Sequence, residues 1–353
     1  MKHLESYKGK KVFLTGHTGF KGSWMTYWLQ QLGAEVVGYS LPPITNPNHF
    51  ELLQLDMESH LENICDLNTL QKAINSAKPE VIFHLAAQPL VRYSYLNPIE
   101  TYQTNVIGTV NVMEASRHCE SVKAIVIITT DKCYENLEQK NGYIETDRMG
   151  GYDPYSSSKG CAELAVNSYR NSFFNVDEYH KSHQTLIASA RAGNVIGGGD
   201  WNMDRLIPDL IKGAISSDKT MIRYPMATRP WQHVLEPISG YLMLGVRLLN
   251  GEKEFASGWN FGPEENDVLT VKEVLEMANC IWEKIIFEFD TEKKHQHEAG
   301  LLSLNIEKAK TKLGWKPRWN NIDAIKHTIE WYHEYYDSKT LNTHDDIKNY
   351  LNV

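Results

Sequence analysis

The sequence has little of what marks a membrane-bound, secreted or nucleic-acid-binding protein. Its 353 residues carry a formal net charge of −8, whereas binding to nucleic acid or to an anionic membrane needs a broad basic face. We therefore expect neither as a main partner. The longest apolar runs have the length of a strand and fall far short of a membrane span. The segment Met1 to Glu5 has no apolar signal core, so we expect a cytoplasmic protein.

Cysteine is also scarce. The chain has five cysteines, an odd number, at scattered spacings and without a C-x-x-C pair: Cys65, Cys119, Cys133, Cys161 and Cys280. This pattern does not suit a disulfide scaffold and indicates free thiols in a reducing compartment. We predict no metal site.

What the first half of the chain does contain is an alternation of β-rich runs with longer amphipathic stretches. The pattern predicts strands at 12–14, 35–39, 61–65, 81–85, 124–128 and 185–190, and helices at 21–32, 67–77 and 105–117. The strand runs show little polar alternation, which suits a parallel sheet covered on both faces. This βαβα order predicts a doubly wound α/β domain of the Rossmann type. Residues 40–59 hold three prolines and no clear period, and predict a long surface loop.

After residue 191 the pattern changes. Glycines and Pro208 break the alternation, and helices are predicted at 238–249, 271–282 and 322–335. We expect a smaller, mixed α/β region that packs against the first domain and forms a cleft. The predicted cofactor domain comprises residues 1–190 and about 230–262, and the predicted substrate-binding region comprises 191–229 and 263–353.

A glycine-rich loop joins the first predicted strand to the first predicted helix. Gly16, Gly19 and Gly22 form a G-x-x-G-x-x-G pattern. The first glycine allows a tight turn, the second lets the backbone approach a pyrophosphate, and the third lets the helix pack on the strand. Three glycines alone would indicate only a turn, but their place at the first βα junction predicts a dinucleotide site. We also assign to it the neighbouring loop residues Thr18, Phe20 and Lys21.

The end of the second predicted strand bears on the identity of the cofactor. An acid there would hold the adenosine ribose of NAD, and a cation would hold the 2′-phosphate of NADP. Tyr39, Ser40 and Leu41 provide neither group. We favour NAD, because a 2′-phosphate has no evident partner. Asp66 is placed to meet the adenine edge; it is also a candidate N-cap for the helix at 67–77, and both can hold.

Tyr155 and Lys159 open a predicted helix that follows Asp153 and Pro154. Residues four apart lie on one face of a helix, and an ammonium beside a phenol favours the phenolate and lowers its pKa. Tyr155 is therefore a candidate base near neutral pH. Tyr-x-x-x-Lys pairs also occur often by chance, so the weight of this pair comes from its position downstream of the glycine loop.

The predicted strand at 124–128 runs directly into a polar segment that contains Thr130, Asp131 and Lys132. The carboxyl ends of strands line the ligand crevice of an open α/β sheet. There Thr130 can donate to a substrate hydroxyl or carbonyl, and Asp131 and Lys132 put an acid and an amine side by side. The alternative is a solvated turn with a local ion pair.

Together these features resemble the extended short-chain dehydrogenase/reductase family and, within it, the nucleotide-sugar 4,6-dehydratases. The matching stretches are 15–22, 84–92, 131–134, 150–156, 191–201 and 229–234, which span most of the chain. Most sugar dehydratases of this family carry Asp-Glu where this chain has Asp131 and Lys132. The CDP-glucose branch is expected to carry lysine, so the resemblance implies CDP-glucose as the substrate.

The resemblance also implies roles for individual residues. Arg229 is the best candidate for a bidentate contact with the substrate pyrophosphate. Arg205 is a second phosphate or base contact, or alternatively a surface helix residue. The full implied set is Leu85, Ala86, Ala87, Asn105, Thr129, Tyr155, Lys159 and Arg191 for NAD, and Gln88, Arg92, Asn194, Arg205 and Arg229 for the substrate.

By the same resemblance, the reaction is an internal redox cycle. Tyr155 removes the proton of the carbon-4 hydroxyl while a hydride passes from carbon 4 to NAD. A base then takes the carbon-5 proton, and an acid protonates the carbon-6 hydroxyl, which leaves. Finally the hydride returns from the cofactor to carbon 6. We assign Asp131 as the acid and Lys132, as a hypothesis, as the base, because lysine serves as a base only when its pKa is lowered. A 4-epimerase would not need this pair. A non-catalytic NAD-binding sensor would be expected to lose Tyr155, Lys159 or Thr130.

The resemblance implies a quaternary structure and a pathway as well. The family usually pairs two long helices per subunit into a four-helix bundle. We therefore expect a homodimer or a homotetramer built on the helices near 105–117 and 153–173. The implied pathway is dideoxysugar synthesis for a surface polysaccharide such as the O-antigen of lipopolysaccharide.

Overall fold

A computed structural model describes residues 2–139, 141–290 and 302–352. Its centre is a sheet of seven strands that all pair in parallel. Side by side, the strands are β3 (Glu58–Leu61), β2 (Glu35–Ser40), β1 (Lys11–Thr15), β4 (Val81–His84), β5 (Ala124–Ile128), β6 (Leu186–Ala192) and β11 (Gly258–Phe261). The order 3-2-1-4-5-6, extended here by one edge strand, is that of a doubly wound dinucleotide-binding sheet. The predicted fold class is confirmed.

Helices cover the sheet on both faces. Along the first part of the chain they are α1 (Phe20–Gln31), α2 (His49–Leu53), α3 (Leu67–Ala77), α4 (Val91–Leu96), α5 (Pro98–Tyr102), α6 (Gly108–Arg117) and α7 (Pro154–Ser172), with a π-helical turn at Gln103–Ile107 between α5 and α6. Among the described residues, no helix is both long enough and apolar enough to cross a membrane.

Burial on both faces explains why the strands lack polar alternation. In β1, Val12 and Leu14 belong to a core shared with α1 and with α9 (Leu235–Leu249), whereas Phe13 belongs to a second core shared with α3, α6 and α7. Successive side chains of a strand point to opposite faces, so one sheet builds two cores. Each large apolar side chain buried there contributes roughly 1.5–3 kcal/mol to folding.

The region after β6 is smaller and mixed, as the sequence predicts. It contains three two-stranded pairings, β7 (Val195–Ile196) with β10 (Gln232–His233), β8 (Thr220–Ile222) with β13 (Phe287–Phe289), and β9 (Thr228–Arg229) with β12 (Leu269–Thr270), and the helices α8 (Leu206–Ser216), α10 (Val271–Ile281), α11 (Asn321–Ser338) and α12 (Thr343–Asn352). Sequence reasoning does not identify α8 or α12. The return of the chain to the large sheet at β11 fits the predicted boundaries, but the division into two domains remains a prediction. Its second part includes residues 291–301, which lie outside the described residues.

The structure differs from the sequence predictions between β2 and α3. A short helix, α2, interrupts the predicted loop at 40–59, and β3 lies just before the strand predicted at 61–65. The side chain of Asn48 caps α2 by accepting a hydrogen bond from the backbone N–H of Glu51 at 2.9 Å. Local capping by Asn48 therefore orders part of a segment whose prolines predict an irregular loop.

Long-range contacts fix the same segment. His49, the first residue of α2, is buried and bonds through its two ring nitrogens to the hydroxyls of Ser23 and Thr343, each at 2.8 Å. It also stacks on Trp24 at a centroid distance of 5.1 Å. Burial lowers the pKa of His49 to about 3, so the ring is neutral at physiological pH. These partners lie far away in sequence, and no local periodicity reveals them.

Candidate active site

The glycine loop lies between β1 and α1, at the point where the strand order reverses from β1 to β4. Gly16 has a φ of +77°, and a Cβ at this residue would lie 2.7 Å from the backbone nitrogen of Ala86. A Cβ on Gly22 would collide with the carbonyl oxygen of Gly16. Gly19 precedes the first turn of α1, and none of the described side chains caps that turn. The backbone N–H groups of α1 therefore face the switch point, where helix N-termini bind pyrophosphates.

Two further predicted cofactor residues stand at the rim of this loop. The hydroxyl of Thr18 hydrogen-bonds that of Ser40 at 2.9 Å and donates to the carbonyl of Leu41 at 2.8 Å, which ties the loop to the end of β2. Asp66 caps α3 by accepting a hydrogen bond from the backbone N–H of Thr69 at 3.1 Å. The capping role of Asp66 is confirmed, and its contact with an adenine remains a prediction.

The segment after β4 connects the cofactor loop to the catalytic helix. Asn105 is fully buried; its amide donates to the Gln88 carbonyl at 3.1 Å and to the Ser158 hydroxyl at 2.8 Å, and its oxygen accepts the backbone N–H of Gln88 at 2.8 Å. The Gln88 amide donates to Thr101 at 2.8 Å. Both side chains thus hold residues 85–87 beside α7, and their predicted ligand contacts remain predictions.

Tyr155 and Lys159 lie one turn apart at the start of α7. The carboxylate of Asp153 caps the helix by accepting the backbone N–H of Ser156 at 2.9 Å. Pro154 occupies the first helical position, where a backbone N–H would have no partner within the helix, so the proline costs no hydrogen bond. Tyr155 is 9% and Lys159 is 6% exposed. The helix thus presents both side chains from one face toward the carboxyl end of the sheet.

The end of β5 brings the other predicted catalytic residues to the same place. The Tyr155 phenol lies beside Thr130, which lowers the pKa of the phenol and whose hydroxyl donates to the buried Asp131 carboxylate at 2.8 Å. The ammonium of Lys132 lies 4.0 Å from Asp131, and a third of its side chain is exposed. A Cβ on Gly193, just after β6, would lie 3.2 Å from Asp131. The result is a continuous row of a phenol, a hydroxyl, a carboxylate and an ammonium.

Burial dominates the electrostatics of the tyrosine and the lysine. It raises the pKa of Tyr155 to about 12, while Thr130 acts in the opposite direction. It lowers the pKa of Lys159 to about 8, against the attraction of the Glu163 carboxylate. The pKa of Tyr155 therefore lies above that of a free phenol, contrary to the sequence-based expectation, because desolvation of the phenolate outweighs the groups that favour it. The Lys159 ammonium itself donates to the Ile128 carbonyl at 3.5 Å.

Lys21 contributes a second amine to the cleft. It lies in the first turn of α1 and is partly buried. Burial and then the charge of Arg205 lower its pKa to about 8, while Asp131 and Asp200 act to raise it. The charge of the Lys21 ammonium therefore interacts with those of Arg205, Asp131 and Asp200.

Arg205 is a predicted substrate residue whose charge reaches the catalytic groups. Its guanidinium donates to the Asp200 carboxylate at 2.7 Å, and its charge lowers the pKa of Tyr155. It precedes α8 and does not lie on an exposed helix face. Arg92 is more exposed and pairs with Asp204 at 2.7 Å.

The last two predicted substrate residues occupy different places. Asn194 immediately follows Gly193, next to Asp131, and its carbonyl accepts the backbone N–H of Gln232 at 3.0 Å. Arg229 lies on the separate two-stranded sheet of β9 and β12, where it donates to the Thr228 carbonyl at 2.9 Å. Asn194 thus follows a glycine that adjoins Asp131, and the contacts of Asn194 and Arg229 with the substrate remain predictions.

Sequence reasoning misses Glu163, which is buried one helical turn beyond Lys159. Its carboxylate accepts hydrogen bonds from Ser189 and Arg191, each at 2.8 Å, and from Thr129. The available signal was an acid at the next four-residue step after Tyr155 and Lys159. Arg191 is 5% exposed. Its guanidinium is hydrogen-bonded to Glu163, so its burial does not favour the predicted cofactor contact.

Comparison with known proteins places the chain in a family. The sequence profile of GDP-mannose 4,6 dehydratase matches residues 13–328. The CDP-glucose 4,6-dehydratase of Salmonella typhimurium strain LT2 is 49% identical over 328 residues, which are 92% of this chain and 91% of the relative.

Solved structures agree with the fold. The epimerase Mth375 of Methanothermobacter thermautotrophicus superposes with a TM-score of 0.80 at 23% identity, covering 96% of each chain. DesIV, a dTDP-glucose 4,6-dehydratase of Streptomyces venezuelae solved as a double mutant with NAD and DAU bound, superposes with a TM-score of 0.75 at 19% identity, covering 92% of this chain and 97% of DesIV. Since the profile spans both the cofactor loop and the catalytic residues, the chain belongs to the GDP-mannose 4,6 dehydratase family of extended short-chain dehydrogenases/reductases.

Proposed function

We propose that the protein catalyses the NAD-dependent 4,6-dehydration of CDP-glucose to CDP-4-keto-6-deoxyglucose. The observation that carries this proposal is the position of Asp131 and Lys132 beside Thr130 and Tyr155. Oxidation at carbon 4 needs only a base such as the phenol, whereas loss of water also needs an acid and a base for carbons 6 and 5. The 49% identity to a protein named CDP-glucose 4,6-dehydratase supports the same substrate.

The residues of the cleft fit NAD. The glycine loop leaves room for a pyrophosphate at the start of α1. The hydroxyls of Thr18, in that loop, and of Ser40, at the end of β2, carry no positive charge that would bind the 2′-phosphate of NADP. When bound, NAD supplies the acceptor for the carbon-4 hydride and its donor for carbon 6. Lys159, buried beside Tyr155, is placed to hold the nicotinamide ribose.

The row of side chains accounts for the protons. The Tyr155 phenol takes the proton of the carbon-4 hydroxyl while it gives up its own. Because Thr130 lies beside Tyr155 and donates to Asp131, the phenol proton can pass through the Thr130 hydroxyl to the carboxylate. Asp131 then delivers a proton to the carbon-6 hydroxyl, which leaves as water. The proton lost at carbon 4 thus departs with the product water, and the tyrosine returns to its starting state.

Lys132 is the candidate base at carbon 5. As the free amine, 4.0 Å from Asp131, Lys132 takes the carbon-5 proton and gives a proton back to carbon 5 once the hydride has added at carbon 6. Asp131 therefore carries a single proton, the one released by the carbon-4 oxidation, which leaves with the water. The partial exposure of Lys132 lets the amine reach a substrate in the cleft while Asp131 stays fixed by Thr130.

The test is a product assay. The protein is incubated with NAD and, separately, with CDP-, dTDP-, GDP- and UDP-glucose, and alkali is then added. A 4-keto-6-deoxy product absorbs near-ultraviolet light in base, so absorbance with CDP-glucose above the other sugars supports the proposal, and Tyr155→Phe is the inactive control. Conversion to an epimer without this absorbance would instead support a nucleotide-sugar 4-epimerase, and no reaction of any sugar would support a non-catalytic NAD-binding protein.

We also propose a homodimer or homotetramer built on α6 and α7, in the cytoplasm, that serves dideoxysugar synthesis for a surface polysaccharide. Exposed apolar side chains on α7, on the π-helical turn before α6 and on α5 support the bundle: Leu164 is 59%, Ile107 50% and Ile99 73% exposed. Leu164→Glu is expected to convert the assembly to smaller species in light scattering. A monomeric wild-type protein would contradict the proposed bundle.

A further inference from the structure

A buried polar network lies directly behind the catalytic helix. The Glu163 carboxylate accepts hydrogen bonds from three side chains, those of Thr129, Ser189 and Arg191, and is 4% exposed. Arg191 pairs with it at 2.8 Å. Charge-assisted bonds of this kind keep a buried carboxylate ionised, and the pKa of Glu163 is lowered in spite of its burial, through Arg191 and the two hydroxyls.

The guanidinium is held from the other side as well. Arg191 donates to the Tyr134 hydroxyl and, at 3.0 Å, to the Glu145 carbonyl. The Tyr134 hydroxyl donates onward to Asn260 at 2.8 Å. The carboxylate is thus bonded to β6 and to the segment after β5, and the network extends through Arg191 and Tyr134 to Asn260 of β11. Such a rigid support suits a group whose charge matters to a neighbour.

That neighbour is Lys159, one turn earlier on α7. Four other groups bear on it: Glu163, Cys133 of the turn after β5, His84 of β4 and Lys21 of α1. Burial raises the pKa of the Cys133 thiol and lowers that of His84 to about 3, so both are neutral, and Lys21 is an amine. Among the described residues that act on the Lys159 charge, Glu163 is therefore the one that supplies a negative charge.

We propose that the Glu163–Arg191 pair is a positioning pair for catalysis, which keeps the buried Lys159 protonated so that it can act on Tyr155 and the cofactor ribose. Thr129 and Thr130 have different partners at the end of β5: the hydroxyl of Thr129 donates to Glu163, and that of Thr130 donates to Asp131 beside Tyr155. The inference rests on the proposed function, because it assigns a purpose to the charge of Lys159 in that reaction. It adds a residue that touches neither substrate nor cofactor.

The experiment compares Glu163→Gln, which keeps the shape but removes the charge, with Glu163→Asp, which keeps a carboxylate. The ¹³Cε chemical shift of Lys159 is followed against pH in the protein without ligands, with Lys159→Arg used only to assign the signal. We expect Glu163→Gln to lower the pKa of Lys159 by about one unit and Glu163→Asp to leave it near the wild-type value. An unchanged titration in Glu163→Gln would overturn the inference.

The second measurement is the pH profile of kcat for CDP-glucose dehydration. Loss of the Lys159 proton should set the basic limb, so in Glu163→Gln that limb should move to lower pH by the same amount. A purely structural role would lower kcat equally at all pH values. If Glu163→Gln does not fold, because Arg191 is left buried without its partner, the double variant Glu163→Gln/Arg191→Met removes both charges and must move the basic limb in the same direction, by less than expected for the single variant, because loss of the guanidinium acts in the opposite sense. Wild-type protein that makes no dehydrated product refutes the proposed function, whereas the NMR titration still tests the pair.

Discussion

Lys132 differs from the other catalytic side chains in its freedom to move. Thr130, Asp131 and Tyr155 are each less than a tenth exposed, whereas a third of the Lys132 side chain is open to solvent. The buried groups fix the positions of the hydroxyl, the carboxylate and the phenol relative to one another. The lysine is then the group that can adjust to the substrate, which suits a base acting on a ring carbon.

Lys132→Met tests this role. Methionine keeps the length of the side chain but cannot take a proton, so we expect solvent deuterium exchange at carbon 5 and product formation to fall by roughly 100-fold or more. Oxidation at carbon 4, measured as transient reduced cofactor in a single turnover, should persist because Tyr155 and Thr130 remain. Mass spectrometry of the recovered sugar measures the exchange.

Lys132→Arg is the matched control for charge. Arginine stays protonated in proteins, so it should fail like methionine if the lysine acts as a base, and should retain activity if only a positive charge is needed. Wild-type exchange at carbon 5 in Lys132→Met would remove Lys132 from the mechanism.

Single residues show where sequence reasoning stops. The catalytic residues are identifiable because a fixed spacing links Tyr155 to Lys159 on a helix and because Thr130 follows a strand. Glu163 has the same four-residue spacing on α7, but its partner Arg191 lies on the strand β6. Its meaning depends on a contact between residues 28 positions apart, which only the folded sheet creates.

At the scale of elements, two glycines at the junction of β1 and α1, Gly19 and Gly22, have different structural roles. Gly22 allows α1 to close on the strand, since a Cβ there would collide with the Gly16 carbonyl. A Cβ on Gly19 would meet that same oxygen at 3.4 Å, an ordinary contact. Gly19 is therefore not required for packing, which leaves the approach of a ligand as the reason for a glycine there.

Gly19→Ala and Gly22→Ala should consequently fail in different ways. We expect Gly19→Ala to keep a thermal midpoint within a few degrees of wild type but to bind NAD at least about tenfold more weakly, since a loss of 1.4 kcal/mol already has that effect. Gly22→Ala should lower the thermal midpoint by itself. Calorimetry and a fluorescence titration with NAD measure the two effects, and equal NAD affinity in Gly19→Ala and wild type would contradict the assigned site.

The elements also differ in how far local sequence predicts them. The strands β1, β2, β4, β5 and β6 and the helices α1, α3, α6, α7, α9, α10 and α11 are predicted because each has a periodic or continuous apolar pattern of its own, whereas the edge strand β11 and the helices α8 and α12 are not predicted. The helix α2 is not predicted either, because its five residues are too short for a period and its stability comes from the contacts of His49 with Ser23 and Thr343. Short elements held by distant partners are beyond a local reading.

At the scale of the whole molecule, a buried acid joins the C-terminal region to the cofactor domain. Glu236, in α9, is fully buried and accepts hydrogen bonds from the backbone N–H of Trp319 at 2.8 Å, from that of Arg318 at 3.1 Å and from the Tyr350 hydroxyl at 2.8 Å. It thereby connects the helix that covers the sheet with the start of α11 and with α12. Burial raises its pKa to about 7, although these hydrogen bonds act to lower it.

This arrangement predicts a pH-dependent stability. An acid whose pKa is higher in the folded protein than its ordinary value of 4.5 contributes stability that is fully present below about pH 4.5 and is lost as the pH rises through about 7. Glutamine has the same shape, can still accept the two backbone N–H bonds, and does not titrate. The free energy of unfolding of wild type relative to Glu236→Gln should therefore fall between pH 5 and pH 8, by on the order of 3 kcal/mol.

Urea denaturation at both pH values measures the difference, with the exposed Glu254→Gln as a control that should follow wild type. If Glu236→Gln shows the same change with pH as wild type, the carboxyl of Glu236 is already ionised in the folded protein, and the junction of α9, α11 and α12 is held by a buried charge.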